Sequence, residues 1–511
     1  MRKYFILIYS ITVLLSVFST VSVAQNQKWN RHFYMMNIGD TRELPAGKYS
    51  SSDEKVATVK NSRIQAIASG DCIIHAEADS GQVEFAHVTV DWPVQNPVLP
   101  YSWKMYVPDN EAHVFNGRLH VYGSLDASGV YCSPYIVPVM TGDLKRWSSD
   151  GLAFSSFDGG SVFKGRNLWG SDVHYYNGKY LLYGAYEWNG EGNETNFYVV
   201  ESDSPTGPFG NFRWVTGSKT KKNIEGITPK ILVEKDGTRY IVWAPTLQPV
   251  KDNYLMIAKL SADDVIDEES MINIGKLKDF YEGPSIRKRG NIYYLVYNEN
   301  CGAITPKNHT PKRLSYATSE NITGPYVYRG IILTIENMAG NTNIQGSIEQ
   351  FNGEWYVFYH RAMNGVWNKR SLCVEKIEFD ANGLIIPLVP TSSGVSEGLN
   401  TAFPVWFNTA VYGSNYRFTD EGEYGNTLIS GAAEIGFRYI AFTGREKQLT
   451  LQGSGLENIV YVKVIANGKV IGEGAGSKAI NLKKVSKGKA ELTLFITTRG
   501  DVRLETFRFK Q

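Results

Sequence analysis

HVFNGRLHVYGS at 113–124 is an apolar-aromatic run, an Asn-Gly pair and a second run of alternating character. Alternation on both sides of Asn116-Gly117 reads as a β-hairpin, because Asn and Gly tolerate the two left-handed positions of a tight turn. The pattern returns as HYYNGKYLLYGA at 174–185, ILVEKDGTRYIVWA at 231–244, SIRKRGNIYYLVYN at 285–298 and SIEQFNGEWYVFYH at 347–360. The turn glycines Gly117, Gly178, Gly237, Gly290 and Gly353 lie 61, 59, 53 and 63 residues apart. A hairpin alone cannot bury both faces, and a unit of about 60 residues holds four strands, so such units pack radially around an axis. The spacing predicts a five-bladed β-propeller over 96–392. Thr206-Gly207-Pro208 and Thr323-Gly324-Pro325 recur two units apart, as an outer-strand turn would. Helical periodicity is nearly absent from 100 to 390, the stretch 262–271 being the main exception. The competing reading is a string of unrelated hairpins.

On either side the pattern stays all-β. Short strands over 26–95, among them Val56-Ala57-Thr58-Val59 and Cys72-Ile73-Ile74, predict a small β-sandwich, and alternating segments over 396–511 predict a second one. Arg2 and Lys3, the apolar run 4–18 and Ser22-Val23-Ala24 form the pattern of a signal peptide over 1–24, so the product is expected to be exported, periplasmic or extracellular. No later apolar run reaches about 18 residues, which excludes a helical membrane span.

The chain has 511 residues, 42% of them hydrophobic and 13% aromatic; Lys plus Arg number 53 and Asp plus Glu 51. The net charge of +2 gives no field that would gather nucleic acid, and the expected partner is a neutral polysaccharide or oligosaccharide met by a monomer. Cys72, Cys132, Cys301 and Cys373 are too sparse for a disulfide framework or a cysteine zinc site and read as buried thiols, with one disulfide open.

Propeller geometry points to the chemistry. Residues just before each repeat converge on one end of the central funnel, and counting back eight from Gly117, Gly237, Gly290 and Gly353 gives Asp109, Pro229, Glu282 and Gln345; Asp172 stands six before Gly178. Two carboxyl groups flanking a bond are what glycoside hydrolysis needs, one protonated to donate to the leaving oxygen and one ionised. A third carboxylate raises the acid's pKa by like-charge repulsion. The alternative is a calcium cage or structural salt bridges. Glu111, two residues on from Asp109, is a rival base. His113 and His174 hold equivalent places and look like a metal pair, with no further ligand at a matching spacing; packed histidines fit as well. Trp103, Trp169 and Tyr281 fit both sugar stacking and core packing.

PDNEAHVFNG from Pro108, LWGSDVHYYNGKYLLYG from Leu168, YEGPSIRKRGNIYYLVY from Tyr281 and QGSIEQFNGEWYVFYHR from Gln345 to Arg361, in this order, resemble glycoside hydrolase family 43 across about 95–390. The resemblance implies a five-bladed propeller that removes arabinose- or xylose-type units with inversion. Asp109 would then be the general base, Glu282 the general acid and Asp172 the residue that raises the acid's pKa, with Arg361, Trp169 and Gln345 meeting substrate. Asn110 and Gly170-Ser171 depart from the family pattern without removing a reacting group. Gln345 stands where relatives often place a metal- or water-holding His. No cofactor is required by this reading, and Gln345 weakens the case for a structural calcium ion on the axis. Residues 49–76 resemble bacterial Ig-like group 2 modules, and the C-terminal part, through GFRYIAFTGREKQLTLQGSG and RLETFRF, resembles family 6 carbohydrate-binding modules with Trp406 or Tyr439 as loop aromatics. No P-loop and no HExxH occurs, and the one G-x-S-x-G, at 394–398, lies in a turn-rich passage without the strand-to-helix context of a nucleophile elbow. The expectation is an exported, inverting, exo-acting glycosidase; the alternative is a glycan-binding protein on an inactive propeller.

Overall fold

The computed structural model describes residues 31–511 apart from 80, 127–131, 158–166, 188–194, 217–218, 221–223, 225, 246–253, 301–311, 337, 339–342, 363–368, 420–425 and 477–478. The signal-peptide pattern and Cys301 therefore lie outside the described residues. Among those described, the regular structure is strand with a few short 3-10 turns, and no helix is long and apolar enough to cross a membrane. The 262–271 stretch contributes only the turn Glu268–Ser270, capped by Asp267 accepting from Glu269 N.

Two compact units result. The first runs to Trp92 and also takes in Arg146–Leu152. One of its sheets orders Tyr49–Ser51, Gly70–Ala78, Gly81–Val90, His32–Met36 and Trp147–Ser149; the other orders Thr41–Glu43, Arg63–Ala66 and Ala57–Lys60. Apolar residues at alternate positions, such as Ile64 with Ala66 and Ala86 with Val88, close one core with Tyr34, Met36, Val56 and Ile74.

The second unit holds the repeats and the C-terminal part. Each repeat hairpin forms as its turn dictates. Asn116 and Gly117, Asn177 and Gly178, and Asn352 and Gly353 all have positive φ (51° and 73°, 49° and 82°, 52° and 85°), the two left-handed positions of a type I′ turn. Glu111–Phe115, Arg118–Tyr122 and Val139–Thr141 make one antiparallel sheet. Four-stranded sheets begin with Leu168–Tyr176, Ile227–Val233 and Ser285–Arg289, and a three-stranded sheet begins with Gly346–Phe351. The leading strand of each sheet lies against that of the next, and Gly346–Phe351 lies against Glu111–Phe115. Both Thr-Gly-Pro turns precede the outermost strand of their sheets, Gly210–Trp214 and Val327–Thr334. Apolar side chains fill the spaces between sheets: Leu181, Tyr183, Val199, Ile231 and Trp243 in one, Val242, Ile257, Ile286, Leu295 and Tyr297 in another.

Residues beyond Leu399 build a sheet system around the long strand Asn426–Phe442, which pairs with Gly488–Thr498 and Val502–Lys510 over a core including Phe407, Phe437, Leu494 and Phe507. Cys72, Cys132 and Cys373 are free, buried thiols.

Candidate active site

Asp109 ends the loop that enters Glu111–Phe115, in a left-handed conformation (φ 57°) that a residue with a Cβ adopts at a cost. What holds it there comes from the far end of the repeat array. His360 Nδ1 accepts from Asp109 N at 3.0 Å, and His360 Nε2 lies 3.3 Å from Asn343 Oδ1. Burial and the Arg370 charge keep the His360 pKa well below that of free histidine, so the ring stays neutral and can accept.

Arg370 opens the strand Arg370–Ile377 and is fully buried. Its Nη1 donates to Asp109 Oδ1 at 3.0 Å, while Nε and Nη2 clamp Asp126 at 2.8 and 2.9 Å. The Cys132 thiol donates to Asp109 Oδ2 at 3.3 Å, and Arg370 Nη2 donates to Cys132 Sγ at 3.0 Å. Burial raises the Asp109 pKa and the Arg370 cation pulls against that rise.

Glu282 is half-buried and stands in a different electrostatic position. Burial first and the Asp109 charge second push its carboxyl up to about 8, against a weaker pull from Arg370. One member of the pair is thus held by a cation and the other lacks one, an asymmetry that separates an acid from a base. Gln345, 3% exposed, lies against the Gly283 backbone, and its Oε1 has no partner among the described residues.

Asp172 is placed elsewhere. Its carboxylate is fully buried; Oδ1 lies 2.6 Å from His113 Nε2, and Oδ2 lies 3.1 Å from His174 Nε2 and accepts from Ile231 N at 2.7 Å. Burial alone would raise its pKa, but the two histidines outweigh it and hold it well below the usual range. The charges that shift Glu282 are those of Asp109 and Arg370, with Asp172 not among them. Burial and Asp109 account for the raised acid, and the action of Asp172 on it remains an expectation of the family resemblance.

Two further expectations change. Arg361 is 2% exposed, and its guanidinium donates to the backbone carbonyls of Asn96 (2.8 Å), Ala410 (3.2 Å) and Thr409 (3.4 Å), which leaves nothing to reach a sugar. Trp169 is half-buried and packs against two inter-sheet cores. Glu111 is spent on Lys230 (3.1 Å), Arg287 (2.7 Å) and Ser285 (2.8 Å), which removes it as a rival base. Glu111 and Glu349 are both paired to Arg287, while Gln345 Oε1 is without a partner among the described residues. A calcium ion takes six to eight oxygen ligands, of which Gln345 would supply one, and no step below uses calcium.

Sequence reasoning missed Arg370, Asp126, His360 and Cys132. Arg370 and Asp126 are 244 positions apart and share no motif; the only trace was an arginine at the head of the otherwise apolar run Leu372-Cys373-Val374.

Known proteins resemble this chain over the repeat region. The model of glycosyl hydrolases family 43 matches residues 95–385. A xylosidase/arabinosidase of Thermoclostridium stercorarium is 30% identical over 341 residues, 59% of this chain and 68% of that protein. One of Bacteroides ovatus is 28% identical over 332 residues, 55% of this chain and 95% of that protein. Among solved structures, an arabinoxylan arabinofuranohydrolase from Bacillus subtilis in complex with cellotetraose aligns at 20% identity and a TM-score of 0.48, covering 81% of this chain and 97% of that one.

Proposed function

Since the chain belongs to glycosyl hydrolase family 43 and is a glycosidase of the arabinofuranosidase or xylosidase type, we propose that it is an exported, inverting, exo-acting enzyme releasing arabinofuranosyl or xylosyl units. The repeat sheets are the five blades of its propeller. The observation that carries the mechanism is the unequal pair: Asp109 anchored by Arg370, and Glu282 with its carboxyl pushed up to about 8.

At neutral pH Glu282 holds its proton and delivers it to the glycosidic oxygen as that bond breaks. Asp109, whose ionised form Arg370 favours, takes a proton from water as its oxygen attacks the anomeric carbon from the opposite face. After turnover Asp109 carries the proton and Glu282 has lost one, and exchange with solvent resets both. Inversion requires the two carboxyls to stand about 6.5–9.5 Å apart. Gln345 Oε1 supplies an acceptor for a sugar hydroxyl beside the acid. The partner is a neutral plant-type polysaccharide or oligosaccharide, and the flanking sandwiches are an Ig-like module and a carbohydrate-binding-type module. Trp406 is half-buried and meets Tyr101 edge-on at 5.7 Å.

Aryl arabinofuranosides and xylosides test the reading. Asp109→Asn and Glu282→Gln should each lower kcat/KM by about 10²–10⁴-fold. Glu282→Gln should lose far less on a dinitrophenyl glycoside, whose leaving group needs no proton. Proton NMR should find the inverted anomer first. Unchanged turnover in both variants, or retention, would sink the assignment.

A further inference from the structure

In the first two repeats a carboxylate stands six residues before the turn glycine and a histidine four before it: Glu111 and His113, then Asp172 and His174. The two carboxylates have different fates. Glu111 is neutralised by Lys230 and Arg287, whereas no lysine or arginine among the described residues forms an ion pair with Asp172. Its neighbours are two imidazoles from two different sheets, and those rings meet edge to face at 4.5 Å. One ring nitrogen of each histidine and an Asp172 oxygen all lie within 4.8 Å of one another. The histidine side chains are 9% and 14% exposed, so the cluster is enclosed without being sealed from solvent.

Charge counting points the same way. The ion-paired groups beside the cluster are Glu111 and Glu349 against Lys230 and Arg287, which cancel, so the two imidazoles are what meets the Asp172 charge. A divalent cation between the imidazoles and the carboxylate would supply a full counter-charge.

We propose that His113 Nε2, His174 Nε2 and one carboxylate oxygen of Asp172 form a site for a divalent first-row transition-metal ion, with solvent completing its coordination. Two imidazole nitrogens and one carboxylate suit Zn²⁺ and its neighbours, not Ca²⁺ or Mg²⁺, which demand oxygen. His113 Nδ1, the nitrogen away from the ion, lies 3.5 Å from Arg287 Nη2 and 3.9 Å from Glu349 Oε2. The ion ties the first sheet to the second. The site does not depend on the roles given to Asp109 and Glu282.

The test uses untagged full-length protein stripped with a chelator and dialysed. Calorimetric titration with ZnCl₂ should give one ion per chain and a higher Tm, and Co²⁺ should give visible ligand-field absorption. CaCl₂ should do neither. His174→Ala should abolish the Co²⁺ spectrum and weaken Zn²⁺ at least about tenfold. His174→Asn keeps a hydrogen-bond donor for Asp172 but no imidazole, and should lose the metal while keeping the fold. Absence of stoichiometric Zn²⁺ binding by the unmutated protein overturns the proposal without recourse to any variant. Zn²⁺ binding of undiminished strength in His174→Asn overturns it equally.

Discussion

Arg370 touches both Asp126 and Asp109, so its removal should be felt twice. Arg370→Met leaves two buried carboxylates without their cation, which is expected to cost about 3–5 kcal/mol in denaturant melts. It also removes the one strong pull that opposes the rise of the Asp109 pKa. The acid limb of kcat/KM should therefore move to higher pH, an effect a purely structural residue would not produce. The basic limb belongs to Glu282, which must be protonated to act: activity should fall as pH rises through about 8, and Glu282→Gln should lose that limb. Stability follows the same sign. A carboxyl raised from 4.5 to about 8 binds its proton more tightly when folded, so its contribution is complete below pH 4.5 and is lost as pH climbs to about 8. Glu282→Gln should flatten that slope. Cys132 allows a finer check, because Ser keeps a donor to Asp109 and Ala does not. Cys132→Ser should retain the acid limb of the unmutated enzyme, and Cys132→Ala should displace it upward.

At the scale of strands and turns, the hairpins and their order were readable because Asn-Gly and Asp-Gly leave a strong local mark. The depth of each residue along the inner strands was not. Phe115 pairs with Arg118, making Gly117 the second turn residue, whereas Arg289 pairs with Ile292, making Gly290 the first. Counting back from the glycines therefore slips by one in the fourth repeat. The backbone supplies a better ruler. Asp109, Gly170, Thr228 and Gly283 share the left-handed conformation (φ 57°, 64°, 51° and 65°) and mark one level. Asp172, two beyond Gly170, then stands level with Glu111, two beyond Asp109, which is why it meets histidines and not the acid. The arginine clamp was illegible for another reason: its members come from opposite ends of the array and follow no period. A pair of glycine variants separates level from function. An added Cβ at Gly170 would lie 2.5 Å from Thr228 Cα, backbone that cannot yield, so Gly170→Ala should lower Tm markedly, by about 2 kcal/mol or more in stability. At Gly283 it would lie 2.2 Å from Gln345 Nε2, the end of a side chain that can swing away. Gly283→Ala should thus cost less stability and raise KM, read from melts and initial rates side by side.

Over the second unit as a whole, the repeat sheets and the C-terminal sheet system share one seam, and Arg361, expected to bind sugar, helps to hold it. Val411 joins a core with Tyr359 and Cys373, and Arg361 spans the carbonyls of Asn96, Thr409 and Ala410. Glu375 lies in the same seam, accepting from Thr391 N (2.7 Å), Thr391 Oγ1 (2.9 Å) and Asn96 Nδ2 (3.0 Å). Burial outweighs those donors and pushes its carboxyl up to about 7. Because the folded value lies above the usual 4.5, this group's contribution is whole below pH 4.5 and gone once pH has risen through about 7. Melting curves of Glu375→Gln should accordingly show a shallower fall in Tm from pH 5 to pH 8 than the unmutated chain. Arg361→Ala strands three buried carbonyls and should cost about 2–5 kcal/mol. Where it remains folded, its KM for a small aryl glycoside should stay within about twofold of the unmutated value, since the guanidinium faces the sandwich. A large rise in KM with unchanged Tm would return Arg361 to the sugar and undo the seam.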